Sequence, residues 1–318
     1  MLSRVADAMF WMSRHIERAE HLARFLEVAF YLDLDLHGVV DGSQNLAWKS
    51  ILQVVQQPVP DDPQILLDEY VTRTLTFDLT NQSGIMTSVN RSRNNARSIR
   101  GSISTEMWRE LNRLYWLLTD DEFRRRSLDS PHELYQAVQT GSQMFQGVCD
   151  ATISHDEGWH FIQLGKYLER ADKIVRLVDS HQRQLEAIEN SLVPSLQNLH
   201  WAGLLKSCQA YQAYQQRYIS RVDPERVLEF VLFNPDFPYS VRFCLNAAAE
   251  NLAAIGGGIN SKSDRGGRAG RLLGRTLLEL EYSEPAEIFG GNLRTFLKTI
   301  ETRCSQVVLA VREQYSLD

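Results

Sequence analysis

Apolar residues recur every three to four positions along almost the whole chain, and no stretch alternates apolar and polar for long enough to make a strand. Met12, Ile16, Ala19, Ala23, Leu26 and Phe30 predict one long helix over residues 3–31. Gly38 and Gly42 mark a break, and Ser43 reads as the N-cap of a helix through Gln57. Asp62-Pro63 predicts the cap and first turn of a helix reaching about Phe77. Further helices are expected near 85–100, 106–118, 131–153, 156–192, 196–219, 224–233, 239–255, 268–281 and 285–313. Ser130-Pro131-His132-Glu133 has the form of a capping box, and Asp223-Pro224 that of a cap followed by proline. The expected fold class is all-α.

The pattern repeats. Ile16-Glu17-Arg18-Ala19-Glu20 returns as Leu168-Glu169-Arg170-Ala171-Asp172. Trp48 with Ile51-Leu52 returns as Trp201 with Leu204-Leu205, and Leu75, Phe77, Leu79 and Asn81 as Leu228, Phe230, Leu232 and Asn234. Ser88-Val89 and Asn94 return as Ser240-Val241 and Asn246. Two copies this long do not make a stacked array. The expectation is a single domain over 1–318, with half-repeats about 1–153 and 154–318 packed around a pseudo-twofold axis and sharing a core.

Charge sharpens this picture around the Glu-Arg strings. Neighbouring helical residues point about 100° apart, so Glu17 and Arg18 cannot pair with each other. Arg18 falls on the line Trp11, His15, Leu22, Phe25, and Arg170 on Gln163, Tyr167, Ile174, Leu177. A guanidinium on so apolar a face needs a carboxylate, phosphate or carbonyl partner. Glu17 falls instead on Arg14, His21 and Arg24, and Glu169 on Lys166, Lys173 and Arg176. Each Glu is thus the candidate partner of the Arg in the opposite half. Two readings stay open: a packing device that fixes helix register, and a central cleft that binds an anionic ligand or a peptide carboxylate.

Composition narrows the rest. A net charge of −6 argues against a general nucleic-acid binder. Cys149, Cys208, Cys244 and Cys304 are widely spaced without a CxxC, which points away from structural zinc and towards buried thiols in a reducing compartment. No run approaches the ~18–20 apolar residues of a membrane span, and the N-terminal stretch lacks the form of a signal peptide, so a cytoplasmic location is expected. No HExxH, G-x-S-x-G, Walker A or dinucleotide fingerprint is present, so no catalytic residue, cofactor or metal site is assigned.

The candidate binding set is Glu17, Arg18, Glu169 and Arg170, with Arg14, Arg24, Arg176, Asn94 and Arg242 around it. Asn94 belongs to the donor-rich run Asn90–Arg97, and Ser240 is the candidate cap before Arg242. Gly256–Gly258 and the basic segment Ser261–Arg271 read as a surface loop.

Phe10-Trp11-x-x-Arg14-x-x-Glu17-Arg18-Ala19-Glu20 and Gly158-Trp159-x-Phe161-x-x-Leu164-Gly165-x-x-Leu168-Glu169-Arg170-Ala171 resemble the two Glu-Arg helices of the alpha-E family. Ser88-Val89 through Asn94-Asn95-Ala96-Arg97, Glu106-Met107-Trp108, and Asp236-Phe237-Pro238-x-Ser240-Val241-Arg242-Phe243 extend the resemblance over essentially the whole chain. Tyr239 stands where the resemblance leads one to expect Arg. The resemblance implies the company of a circularly permuted ATP-grasp ligase-like protein and a transglutaminase-like protein, and so a part in ATP-dependent amide ligation of peptides. Within that setting the chain would be an accessory or substrate-binding partner for a peptide or amino acid. An enzyme of unknown reaction using the Glu/Arg pairs, and a helical scaffold with structural pairs only, are the alternatives.

Overall fold

A computed structural model describes residues 1–36, 45–188, 194–219, 222–256, 267–315 and 317. Among them every regular element is a helix, and none is long and apolar enough to cross a membrane. In chain order these are α1 (Ser3–Leu36), α2 (Leu46–Val54), α3 (Leu67–Thr76), α4 (Ile85–Ser98), α5 (Thr105–Thr119), α6 (Asp121–Asp129) and α7 (His132–Thr152). They continue with α8 (Glu157–Ile188), α9 (Pro194–Ser207), α10 (Tyr211–Tyr218), α11 (Pro224–Phe233), α12 (Val241–Ile255) and α13 (Gly267–Tyr282). The short α14 (Pro285–Glu287) passes through a π-helical turn, Ile288–Asn292, into α15 (Leu293–Tyr315).

The two Glu-Arg helices, α1 and α8, form the axis of the molecule. They run side by side in the same direction: Met1 meets Glu157, Phe10 sits against Gly165, and Arg18 reaches Glu169. Helices α2, α4, α7 and α9 surround α1, while α12, α15 and α2 pack on α8. Phe10, Met12, Ala19, Ala23 and Leu26 of α1 and Leu164, Ala171, Ile174 and Val178 of α8 have no accessible surface. Each large apolar side chain buried this way contributes about 1.5–3 kcal/mol. Because neighbours press on several sides, the middle of each axial helix has no broad solvated face, and its polar residues have to be satisfied inside.

Local signals set several boundaries. Asp223 Oδ1 accepts from Arg226 N at 3.0 Å with Pro224 in the first turn, and Ser240 Oγ accepts from Phe243 N at 3.0 Å. Asn81 and Asn234 both fold turns, accepting from the backbone N–H of Ser83 and of Asp236 and Phe237.

Other expectations fail for physical reasons. Helix α3 begins at Leu67 rather than Pro63, because Asp62 spends its carboxylate on the N–H of Gln64 in a turn. Ser130 does not cap α7 but closes α6, donating its N–H to Arg126 O; α7 starts after Pro131, whose carbonyl accepts from Tyr135 N, with no side-chain cap. The single helix expected over 196–219 is two, α9 and α10, broken where Gln209 takes φ 52°. Helix α6 was not expected from the sequence. The expected cap Ser43 and most of the Gly/Arg-rich segment lie outside the described residues; Arg268 and Arg271 belong to α13.

Candidate functional site

Successive turns of α1 place Arg14 and Arg18 against the flank of α8, and Glu17 one residue away points to the adjoining side. Glu169 receives both arginines. Arg14 Nε and Nη2 donate to Oε2 at 2.8 and 2.6 Å; Arg18 Nε donates to Oε1 at 2.6 Å and its Nη2 to Oε2 at 3.0 Å. Lys173 Nζ stands 3.7 Å from the same carboxylate. Glu17 receives the reciprocal bond: Arg170 Nε donates to its Oε1 at 2.6 Å. Gln146 of α7 donates to Glu17 Oε2 at 2.8 Å, and His21 Nε2 lies 3.1 Å from Oε1. Both glutamates are completely buried. The charged stripe expected on each helix is therefore an internal lattice, not a solvated face.

The lattice extends beyond the Glu-Arg pairs themselves. Glu20 accepts from Arg24 (2.9 Å), Gln209 (3.0 Å), the Tyr239 hydroxyl (3.1 Å) and Ser142 (2.9 Å). Its counterpart Asp172 accepts from Arg176 Nε at 2.9 Å, and Arg176 also pairs with Glu301 of α15 at 2.8 Å. The acid three residues after each Glu, present in both copies of the string, was the available signal. Tyr239 has a defined job: its ring lies 3.9 Å from the Arg170 guanidinium carbon, and Arg170 Nη1 donates to Pro238 O at 3.1 Å. A neutral aromatic face there holds the buried cation without adding another.

Of the sequence candidates, Glu17, Arg18, Glu169, Arg170, Arg14, Arg24 and Arg176 are part of this centre. Asn94 and Arg242 are not. Asn94 is exposed on α4 and donates to Asn90, while Arg242 faces Glu281 of α13 at 3.9 Å. Arg93, in the same run as Asn94, donates to Asn112 and stacks over Tyr115 at 4.3 Å.

The electrostatics follow from burial opposed by partners. Burial pushes the Glu169 carboxyl up, but Arg18, Arg14 and Lys173 outweigh it and hold the group well below the usual carboxylate range. Burial likewise raises Glu17, and Arg170 with His21 pulls it below its ordinary value. His15 and His181 are drawn down to about 3, first by burial and then by Arg18 and His200 respectively. All these shifts have one sign, since the folded state binds fewer protons than the unfolded chain. The stability they carry is complete above the ordinary histidine value of 6.5 and declines as pH falls towards 3. The decline steepens below the ordinary glutamate value of 4.5, as the unfolded chain takes up protons that Glu17 and Glu169 refuse. Thermal melts from about pH 8 down to about pH 4 are expected to show a flat plateau and then this two-stage fall. A midpoint that rises on acidification would contradict the assignment.

On one side the lattice reaches solvent. Arg14, Arg18, Lys173 and Arg176 line a cleft of about 400 Å³ whose apolar walls include Val54 and Val308. Among the described residues, no three His, Cys, Asp or Glu side chains gather as metal ligands.

The fold and site define an all-α protein built on two parallel helices locked by a buried, reciprocal Glu-Arg lattice. The chain belongs to the Alpha-E family, described as a predicted alpha-helical domain with a conserved ER motif, which it matches over residues 1–315. It is similar to an uncharacterized protein of Mycobacterium bovis and to one of Mycobacterium tuberculosis, at 22% identity over 301 residues in each case. The match covers 90% of this chain but 33% of each relative, so the chain spans about a third of the length of the curated relatives it matches. No solved structure matches it.

Proposed function

We propose that this protein is a non-catalytic partner of an ATP-grasp amide ligase in peptide synthesis or modification, and that it receives a carboxylate-bearing peptide or amino acid in the cleft beside Glu169. The observation that carries this reading is the cleft wall. Guanidinium and ammonium groups of Arg18, Lys173 and Arg176 reach its surface around a single lining carboxylate, Asp172, while Glu169, which holds Arg18 and stands near Lys173, stays buried behind them. Arginine edges held in place by buried acids are preorganised for a planar anion.

The enzymatic reading draws little from this geometry. A general base needs an open face and a pKa near the working pH. Glu17 and Glu169 are sealed, fully bonded and held low. In the mycobacterial relatives the matching region is a third of a longer polypeptide, the arrangement of a module that works beside others. The proposal places the protein in the cytoplasm with its ligase, where its four buried thiols stay reduced.

Co-expression with the ATP-grasp ligase-like and transglutaminase-like proteins, followed by affinity purification and size-exclusion chromatography, tests the partnership. A complex that persists at about micromolar concentration is expected. Separate elution of all three proteins would overturn it.

A further inference from the structure

The cleft does not end at Arg176. It continues past Gln53 and Ser180 through a constriction of about 210 Å³ and opens into a trough of about 540 Å³. Adjacent parts share walls: Gln56 and Arg176 border the cleft and the constriction, and Asp179, Arg183 and Lys298 border the constriction and the trough. Helix α15 runs antiparallel to α8, and the two form the long sides. At ~1.5 Å per residue, the α8 wall from Leu168 to Arg183 is roughly 22 Å long. That is the reach of about seven residues of extended chain at roughly 3.3 Å each.

The charge of this groove runs against that of the chain. The protein carries 34 Lys and Arg against 40 Asp and Glu. Yet Arg14, Arg18, Lys173 and Arg176 line the inner end, and Arg183, Arg294, Lys298 and Arg303 line the outer end. Five carboxylates stand against these eight cations: Glu169, Asp172, Asp179, Glu279 and Glu301. Among the described residues, no aromatic side chain lines any part of the groove.

We infer that the groove between α8 and α15 binds an extended acidic peptide of about seven residues, its carboxylates meeting the two cationic ends. This rests on the reading of the inner cleft as a carboxylate receptor and extends it to a polymeric ligand. Arginine is suited to bidentate capture of carboxylates. Single-stranded nucleic acid is the poorer fit, because it relies on aromatic stacking platforms that this groove lacks.

The test is fluorescence anisotropy of the purified chain with a labelled heptaglutamate peptide, compared with a heptaserine peptide and a labelled oligothymidylate of similar charge. At low salt, about 50 mM, the acidic peptide is expected to bind at least tenfold more tightly than either comparison ligand, and to weaken as salt screens the groove. Arg294→Glu with Lys298→Glu, both at exposed positions, is expected to reduce peptide affinity about tenfold or more, while loss of the exposed Lys298–Glu301 pair moves the thermal melt by no more than about 2–4 °C. No peptide binding at low salt, equal affinity for the double variant, or tighter binding of the oligonucleotide would overturn the inference. The experiment needs no partner protein. Peptide binding by a chain that fails to co-purify with the ligase would therefore leave the groove standing and remove only the partnership.

Discussion

Replacing Glu169 with glutamine is expected to lower the unfolding free energy by about 3–5 kcal/mol, the usual cost of breaking a buried ion pair from one side. The carboxylate holds two guanidinium groups at 2.6–3.0 Å, and Arg14 is almost as buried as Glu169 itself. An amide of the same shape offers one accepting oxygen and turns its NH2 towards a cation. Both arginines border the cleft, but the Arg18 side chain is 19% exposed and regains water more readily than that of Arg14, at 9%. The loss is therefore expected to fall when Arg14→Met is added, because the stranded charge is removed with its partner. Urea denaturation at constant m-value measures both variants and the cycle between them. Against a typical total stability of about 5–15 kcal/mol, the single variant stands near the edge of folding. A cost below about 1 kcal/mol would mean that the arginines reach solvent and that the lattice is no stronger than surface pairing.

The second large effect is steric. A Cβ added to Gly165 would lie 2.5 Å from the Phe10 carbonyl oxygen and 3.2 Å from Arg14 Cγ. A backbone carbonyl cannot rotate out of the way, so α1 and α8 must separate. Gly165→Ala is expected to cost about 1–3 kcal/mol or more through overpacking, although alanine is the better helix former. Gly147→Ala in α7 is the control: nothing lies within 4 Å of its added Cβ, and it is expected to be neutral or slightly stabilising. Thermal melts of the two variants should move in opposite directions or differ by several degrees. Since Gly165 lies one turn before Glu169, combining Gly165→Ala with Glu169→Gln is expected to cost less than the two separate losses added together.

The helical character of the chain was legible because it rests on spacing, and the caps at Asp223 and Ser240 because each is a local bond between neighbours. Helix α6 was not legible: DEFRRRSLD offers no apolar stripe, and its anchors are the buried Phe123 and Ser127, the Asp120 cap and Arg124 over the Phe77 ring. The break between α9 and α10 carries no glycine or proline to announce it. For the lattice, sequence reasoning could say that Arg18 and Arg170 needed partners. It could not say that Glu17 and Glu169 are sealed, because a charged line on one helix looks alike whether water or other helices lie beyond it. Glu20 makes the same point, since its donors come from α1, α7, the turn after α9 and the loop before α12. Asn94 and Arg242 were chosen for their residue types; only packing reveals that they face away from the centre.

The axial lattice also bears on how the chain is made. The bonds from Arg14, Arg18 and Arg170 join residues 151–155 positions apart. During synthesis at ~5–20 residues per second, α1 leaves the ribosome roughly 8–30 s before its counterpart on α8. Through that interval Glu17 lacks its guanidinium and Arg14 its carboxylate, and dehydrating either alone is too costly to sustain. The first helix therefore keeps its charges in water, and the core closes around it only when the second Glu-Arg string arrives.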